Sequence, residues 1–241
     1  MHFIIKVSTV ATLFAASAAF ASGGSHGNIE NGKNIFMNGK GDVPACTSCH
    51  GQDGMGEDSM GTPRLAGQGL VFLVKQLEDF ATDKRMDTTM FIMNTNAKGL
   101  SAEDRRDVSA YANSLSNELV SSDMAAVKEL GNPVGMRYLG KSLVMYGATE
   151  RGIPSCYSCH GFNGRGAAPI YPMIGGQKYV YLINQLKKWR DGTRANDPMG
   201  QMQAVAKNMT DEDIHNAATY LTSAPRTTVG NARVPGDYPE H

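Results

Sequence analysis

The five-residue stretch Cys46-Thr47-Ser48-Cys49-His50 occurs a second time as Cys156-Tyr157-Ser158-Cys159-His160, and the rest of the chain is arranged around these copies. The order C-x-x-C-H is typical of c-type haem attachment. Two thiols separated by two residues can each bond one vinyl group of the same porphyrin, and the adjacent imidazole then lies under the iron as its proximal ligand. The motif therefore predicts two covalently attached haems c, bonded to Cys46, Cys49, Cys156 and Cys159, with His50 and His160 on the iron atoms.

Three other interpretations of the cysteines fit the sequence less well. A zinc site would need more ligands near each cysteine pair than a single histidine. A thioredoxin-like redox motif would lie in a βαβ pattern, which this sequence lacks. Two disulfides would also use all four cysteines, but the presence of two identical five-residue frames with no cysteine left over favours haem.

The first 21 residues have the pattern of a signal peptide. His2 and Lys6 give a weakly basic start, residues 10–20 are apolar and small, and Ala19-Phe20-Ala21 fits the small-x-small cleavage pattern. A membrane anchor is the alternative, but the apolar run is short and is interrupted by Ser and Thr. We expect cleavage after Ala21 and export to the periplasm, since bacteria attach c-type haem outside the cytoplasm.

The remaining chain is a tandem duplication with an offset of about 109 residues. The matched positions keep their order along the chain: Gly32 and Gly140, Pro44 and Pro154, Gln68 and Gln177, Gln76 and Gln185, Tyr111 and Tyr220. The period is too long for a solenoid and has the length of a small domain. We therefore expect one domain over residues 22–125 and a second over residues 126–241, each enclosing one haem.

Each copy shows the same order of helical patterns and no strand pattern. A first helix is expected at about 29–39 and again at about 136–146. An amphipathic helix follows the Gly-rich loop after each haem motif, with apolar residues at helical spacing: Leu70, Leu73, Leu77 and Phe80, then Val180, Ile183, Leu186 and Trp189. The last helix begins after Ser101 or Thr210, each followed by acidic residues. The fold class is all-α, with a linker at about 118–133.

The methionines decide what occupies the distal side of each predicted haem. Each copy contains an M-x-x-M sequence in a predicted loop before the last helix, formed by Met90 and Met93 in the first copy and by Met199 and Met202 in the second. Thioether sulfur is a soft ligand that stabilises ferrous iron and raises its reduction potential. Spacing alone does not choose between the two methionines of a pair.

The sequence resembles the cytochrome c4 family of dihaem electron carriers over nearly the whole mature chain. The resemblance rests on the two haem motifs and on Pro63-Arg64-Leu65-Ala66-Gly67-Gln68, Leu73-x-x-Gln76-Leu77 and Arg194-x-Asn196-Asp197-x-Met199. It implies that the ligand methionine stands eight residues before the Ser or Thr of the last helix. The distal ligands are then Met93 and Met202, and Met90 and Met199 pack near the haems.

Two further expectations concern single side chains. Met173 replaces the basic residue of the second Pro-Arg-Leu segment, so a haem propionate contact is lost there, whereas Arg64 either contacts a propionate or lies exposed in solvent. His215 lacks any motif context and is interpreted as a surface residue, like His26 and His241.

The predicted function is that of a periplasmic carrier of single electrons with two His/Met-ligated haems. The resemblance implies redox protein partners, with a cytochrome bc1-type donor and a terminal oxidase or reductase as acceptor, no nucleic acid, and membrane association only through partners. The alternatives are a dihaem peroxidase, a thiosulfate-oxidising cytochrome, and the cytochrome subunit of a dehydrogenase. The first domain carries nine basic and fourteen acidic residues and the second carries thirteen and nine. These opposite charges could hold the two domains together, orient partners at different ends, or simply solvate the surface.

Overall fold

The computed structural model describes residues 27–89 and 91–224. The predicted signal peptide, the tail after Ala224 and Met90 lie outside the described residues. Within these ranges the secondary structure consists of eleven α-helices, three short 3-10 turns and isolated β-bridges. The helices are α1 (Ile29–Asn38), α2 (Thr47–His50), α3 (Leu70–Ala81), α4 (Ile92–Lys98), α5 (Ala102–Ser114), α6 (Met124–Glu129), α7 (Arg137–Tyr146), α8 (Tyr157–His160), α9 (Tyr179–Asp191), α10 (Gln201–Lys207) and α11 (Asp211–Leu221).

The helices form two copies of one arrangement, which confirms the predicted all-α fold and its internal repeat. We call α1–α5 the first module and α7–α11 the second module. In each module the first helix packs against the last, α1 against α5 and α7 against α11. A matched glycine permits this close approach, because a Cβ atom on Gly32 would lie 2.0 Å from the carbonyl oxygen of Asp107 and one on Gly140 would lie 1.8 Å from that of Asn216.

The last helix of each module begins with a capping box, as the sequence pattern indicates. The Ser101 hydroxyl accepts a hydrogen bond from the backbone N–H of Asp104, and the Asp104 carboxylate accepts one from the backbone N–H of Ser101. Thr210 and Asp213 form the same pair of bonds at the start of α11. These reciprocal bonds satisfy backbone donors that a helix end would otherwise leave without partners.

The segment between the modules differs from the prediction of a simple linker. It contains α6, whose N-cap Asp123 accepts hydrogen bonds from two backbone N–H groups. Val127 of this helix is fully buried in the apolar core of the second module. A six-residue helix is too short for hydrophobic periodicity to reveal, which explains why the sequence pattern did not indicate it.

The amphipathic helices α3 and α9 supply each module with its apolar inner face. Leu73 and Phe80 are buried in α3, as are Ile183 and Trp189 in α9, in agreement with the predicted helical spacing. No helix among residues 27–89 and 91–224 has the length and apolar character needed to cross a bilayer.

Candidate functional site

Each C-x-x-C-H motif forms a single helical turn that brings its first cysteine and its histidine together. The backbone N–H of His50 donates to the carbonyl oxygen of Cys46 at 3.0 Å, and that of His160 donates to the carbonyl oxygen of Cys156 at 2.9 Å. Both histidines are buried, with 5% and 7% of their surface exposed. The two motifs therefore present the same constellation of thiols and imidazole in both modules.

A proline carbonyl orients each imidazole ring. His50 Nδ1 lies 3.0 Å from the carbonyl oxygen of Pro63, and His160 Nδ1 lies 2.8 Å from that of Pro172. Burial lowers the pKa of both imidazoles, although the carbonyl contact acts in the opposite direction. A neutral ring that donates from Nδ1 leaves Nε2 available as a metal ligand.

The cysteines lack the surroundings of a zinc or redox site. None of the four forms a disulfide, and burial raises the pKa of the Cys46 and Cys156 thiols to about 11. Thiols with raised pKa values are poor thiolate ligands and slow nucleophiles. Among the described residues, no group of three or more His, Cys, Asp or Glu side chains is placed to hold a metal ion. These findings favour the haem interpretation over the alternatives.

One mainly apolar cavity of about 720 Å³ runs through both modules. It is lined by both motifs and by apolar side chains from α3, α5, α9 and α11. A haem is a large apolar ring with an iron that accepts nitrogen and sulfur ligands. The cavity offers both a matching apolar wall and such donor atoms, so the residues present fit this group.

Two of the four candidate methionines, Met93 and Met202, line the cavity, and the segment that carries each of them is helical. Met93 and Met202 are half-buried cavity-lining residues, and each is the second residue of a short helix, α4 or α10, where the sequence indicated a loop. Met199 reaches the cavity rim but is 89% exposed and has a left-handed backbone conformation. Met90 lies outside the described residues.

An aspartate holds the start of each methionine-bearing helix. Asp197 Oδ2 accepts hydrogen bonds from the backbone N–H of Met202 at 2.6 Å and of Gln203 at 3.1 Å. In the first module Asp87 Oδ2 accepts a longer bond of 3.4 Å from the backbone N–H of Met93. The position of each methionine therefore depends on a carboxylate a few residues earlier in the chain.

The modules contact each other through reciprocal glutamine bonds. Gln68 donates from Nε2 to the carbonyl oxygen of Met173 at 2.8 Å and accepts from the Met173 backbone N–H at 2.9 Å. Gln177 forms the same two bonds with the backbone of Arg64, at 3.0 and 2.7 Å. None of the ion pairs among the described residues joins the two modules. The modules are instead joined by hydrogen bonds, which include these four and others such as that from the backbone N–H of Val180 to Asp58.

Arg64 has a role that neither predicted alternative described. It is 2% exposed, and its guanidinium donates to the carbonyl oxygens of Ala66, Ser116 and Glu118. Burial lowers its pKa to about 10, so the side chain stays charged at neutral pH. Arg64 therefore links the loop between α2 and α3, in which it lies, to the chain segment that follows α5.

The interpretation of His215 as a surface residue is wrong. His215 is 7% exposed, and its Nδ1 lies 2.9 Å from the hydroxyl of Tyr179, which also donates to the carbonyl oxygen of Pro133 at 2.5 Å. The first module has Leu70 and Arg106 at the corresponding positions, so the repeat gave no signal for this pair. His26 and His241 lie outside the described residues.

Comparison with known proteins identifies the family. The cytochrome c family model matches residues 29–116 and again residues 150–225. The thiosulfate dehydrogenase electron acceptor of Stutzerimonas stutzeri is 35% identical over 202 residues, which cover 83% of this chain and 89% of that protein. Cytochrome c4 of Pseudomonas aeruginosa is 33% identical over 185 residues, covering 76% and 85% of the two chains.

Two solved structures share this fold. Reduced recombinant cytochrome c4 from Pseudomonas stutzeri has a TM-score of 0.66 at 30% identity and matches 82% of this chain and 99% of its own. A thiosulfate dehydrogenase from Marichromatium purpuratum has a TM-score of 0.72 at 32% identity, and the match covers 82% of this chain but 40% of that one. Cytochrome c domains carry covalently bound haem c, which the two cysteine motifs fit. The chain belongs to the cytochrome c family and, within it, to the dihaem proteins like cytochrome c4.

Proposed function

We propose that the protein is a periplasmic electron carrier in which each of two haems has one histidine and one methionine ligand. His50 and Met93 ligate the first iron, and His160 and Met202 ligate the second. The porphyrins are bonded to the chain through Cys46, Cys49, Cys156 and Cys159. The two domains extend over residues 22–125 and 126–241, after a signal peptide at 1–21. The observation that carries the proposal is the shared cavity, which is lined by both histidines and by the half-buried Met93 and Met202.

The protein residues hold and tune the redox centres. The carbonyl oxygens of Pro63 and Pro172 fix the tautomer and the orientation of the proximal imidazoles. A haem c held in each module supplies exchange of one electron between ferric and ferrous iron, and a thioether ligand favours the ferrous state. With one histidine and one methionine side chain holding each iron, neither centre would offer a binding position to a substrate. This supports a carrier over an enzyme.

The names of the relatives favour one class of partner. Two of them are called thiosulfate dehydrogenase electron acceptors, and one structural neighbour is a thiosulfate dehydrogenase. We therefore propose, as the second candidate, that this chain accepts electrons from a catalytic dehydrogenase of that class, free or as its cytochrome subunit. The alternative electron donor is a quinol-oxidising complex of the cytochrome bc1 type. In both cases the proposed electron acceptor is a terminal oxidase or reductase.

Replacement of the methionines tests the ligand assignment. Met93→Ala and Met202→Ala should each abolish the absorption band of methionine on ferric iron for one haem, lower its potential and allow it to bind cyanide. Met199→Ala is the matched control, because this exposed residue of the same segment should leave the spectrum unchanged. Loss of the band in the control variant would move the assignment to Met199. Rapid cyanide binding by the unmutated protein would show an open haem and favour an enzyme.

Reduction kinetics test the partner. The purified protein mixed with thiosulfate alone should stay oxidised, and addition of a catalytic thiosulfate dehydrogenase should reduce both haems. Reduction by thiosulfate without that enzyme would make the chain itself the oxidising enzyme. Reduction only by a quinol-oxidising complex would leave the carrier function intact and exclude the dehydrogenase partner.

A further inference from the structure

Asn196, the residue before Asp197 in the second module, is held mainly by the first module. Its backbone carbonyl oxygen accepts a hydrogen bond from Lys75 Nζ at 2.8 Å. Its side-chain amide donates to Asp79 Oδ2 at 2.6 Å and to Gln76 Oε1 at 3.1 Å. All three partners belong to α3, so three hydrogen bonds of one residue reach the opposite module.

The α3 partners form one polar surface. Lys75 and Asp79 stand four residues apart on the same side of the helix and form an ion pair, and Asp79 is only 6% exposed. Asn196 meets this surface with a carbonyl oxygen at the cation and an amide at the carboxylate, so each charged group receives a suitable partner. Within its own module, Asn196 Oδ1 accepts from Arg194 Nε at 3.0 Å.

The next residue connects this contact to a methionine. Asp197 Oδ2 accepts hydrogen bonds from backbone N–H groups at the start of α10, including that of Met202. Asn196 and Asp197 share a planar, rigid peptide bond, so a displacement of Asn196 also displaces the Asp197 backbone. Two consecutive residues therefore connect α3 of the first module with Met202 of the second.

A weaker contact of the same kind runs in the opposite direction. Lys188 Nζ of α9 donates to Thr89 Oγ1 at 2.7 Å. The backbone N–H of Thr89 donates to Asp87 Oδ1 at 3.2 Å, and Asp87 Oδ2 accepts from the backbone N–H of Met93 at 3.4 Å. The repeat aligns Lys188 with Asp79, so the modules use opposite charges at one helical position. Each methionine segment is thus bonded to the long helix of the other module.

We propose that Lys75 and Asp79 of the first module act as positioning residues for the methionine ligand of the second haem, through their bonds to Asn196. The inference rests on the proposed function, in which Met202 ligates the second iron. Thioether sulfur is a soft ligand and binds the harder ferric iron less tightly, so the oxidised centre depends most on a segment that holds the sulfur in place. Charge-assisted hydrogen bonds are strong enough to supply this restraint.

Cyanide binding to the oxidised, haem-loaded chain tests the positioning role. Asp79→Ala removes the acceptor of the Asn196 amide and the partner of Lys75, and Asp79 lies outside the shared cavity. The second haem should bind cyanide about tenfold faster, because a hydrogen bond to a charged group contributes a free energy of that order. Asp79→Asn keeps an oxygen for Asn196 and should recover most of the change. Lys75→Met should act in the same direction and keeps the test decisive if Asp79→Ala does not fold.

The haem that responds identifies the contact. Met93→Ala and Met202→Ala assign the proton NMR signals of the two ferric haems, so each cyanide reaction can be followed separately. A change in one module that alters the haem of the other is direct evidence of coupling between them. Lys188→Met removes the bond to Thr89 and should accelerate the first haem alone, by about two- to threefold, since a single exposed bond is lost.

A neighbouring residue of α3 supplies the control. Glu78 precedes Asp79 and pairs with Arg105 of its own module at 2.9 Å, so Glu78→Ala should change neither cyanide rate. Equal acceleration of both haems in Asp79→Ala, or none at the second haem, would overturn the positioning role. In those cases the unmutated protein would still show the absorption band of methionine on ferric iron. Absence of that band from the unmutated protein would instead refute the proposed function.

Discussion

Replacement of Asp197 with alanine should speed ligand exchange at the haem of the second module. The carboxylate accepts from two backbone N–H groups at the start of α10, at 2.6 and 3.1 Å, and from the side-chain amide of Gln203 at 3.0 Å. Loss of a capping carboxylate costs about 0.5–2 kcal/mol, with charge-assisted bonds at the upper end. Because Met202 is the second residue of α10, the substitution should destabilise the conformation in which the Met202 sulfur reaches the iron.

The magnitude follows from that free energy. Cyanide reaches ferric iron only when the methionine has left, so its rate of binding reports how often the loop opens. A loss of one to two kcal/mol raises the open population by about 5–30-fold. Stopped-flow mixing of the oxidised variant with cyanide should therefore show one of two haems reacting about 5–30 times faster than in the unmutated protein.

A matched variant separates this local effect from general instability. Asp123→Ala removes an N-cap carboxylate of the same kind, with bonds of 2.8 and 3.2 Å, from α6, which carries no proposed ligand. It should leave the cyanide rate unchanged. Equal acceleration in both variants, or none in Asp197→Ala, would refute the argument. Asp87→Ala should act on the other haem and more weakly, because its bond to Met93 is 3.4 Å long.

Two further predictions concern stability. Gly140→Ala would place a Cβ atom 1.8 Å from the backbone oxygen of Asn216, so it should lower the free energy of unfolding by about 1–3 kcal/mol or more. In the control Gly69→Ala the new Cβ atom has no heavy atom within 4 Å, so the Tm measured by calorimetry should stay unchanged. A similar loss of stability in both variants would contradict the close approach of α7 and α11. The hydrogen bonds from Arg151 lower the pKa of Asp213 to about 2, so this pair stabilises the fold above about pH 4 and ceases to do so as the pH falls towards 2. Because Arg151 is 40% exposed the effect should stay below about 1 kcal/mol, and the stability difference between the unmutated protein and Asp213→Asn should shrink over that pH range in acid titrations followed by circular dichroism.

The sequence was informative where a local pattern has one physical meaning. The five residues of each haem motif include both thiols and the imidazole that haem attachment needs. Ser101 and Thr210 mark helix starts because each forms hydrogen bonds with an aspartate three residues later. Helices α3 and α9 bury a full apolar stripe and so repeat their apolar residues at helical spacing. These features predicted the all-α fold and its two copies.

Other features depend on partners distant in the chain. Arg64 was weighed as a propionate ligand or a solvated residue, because two of the three carbonyl oxygens that it binds, those of Ser116 and Glu118, lie more than fifty residues away. His215 looked like a surface residue because its partner, Tyr179, is 36 residues earlier and has no counterpart in the first copy. The seven-residue helices that carry the candidate methionines begin after a left-handed residue, and they are too short to show periodicity.

The reciprocal glutamine bonds have the form of an isologous interface, in which one patch binds its own copy across a twofold axis. Two separate single-module chains could dimerise in this way, and joining them in one polypeptide raises their effective concentration to the millimolar range without any new contact. Because Gln68 and Gln177 bind only the main chain of the opposite module, the side chains at their targets are free to differ. Arg64 and Met173 occupy those two targets, so the fused pair has diverged in sequence while it keeps the same contact.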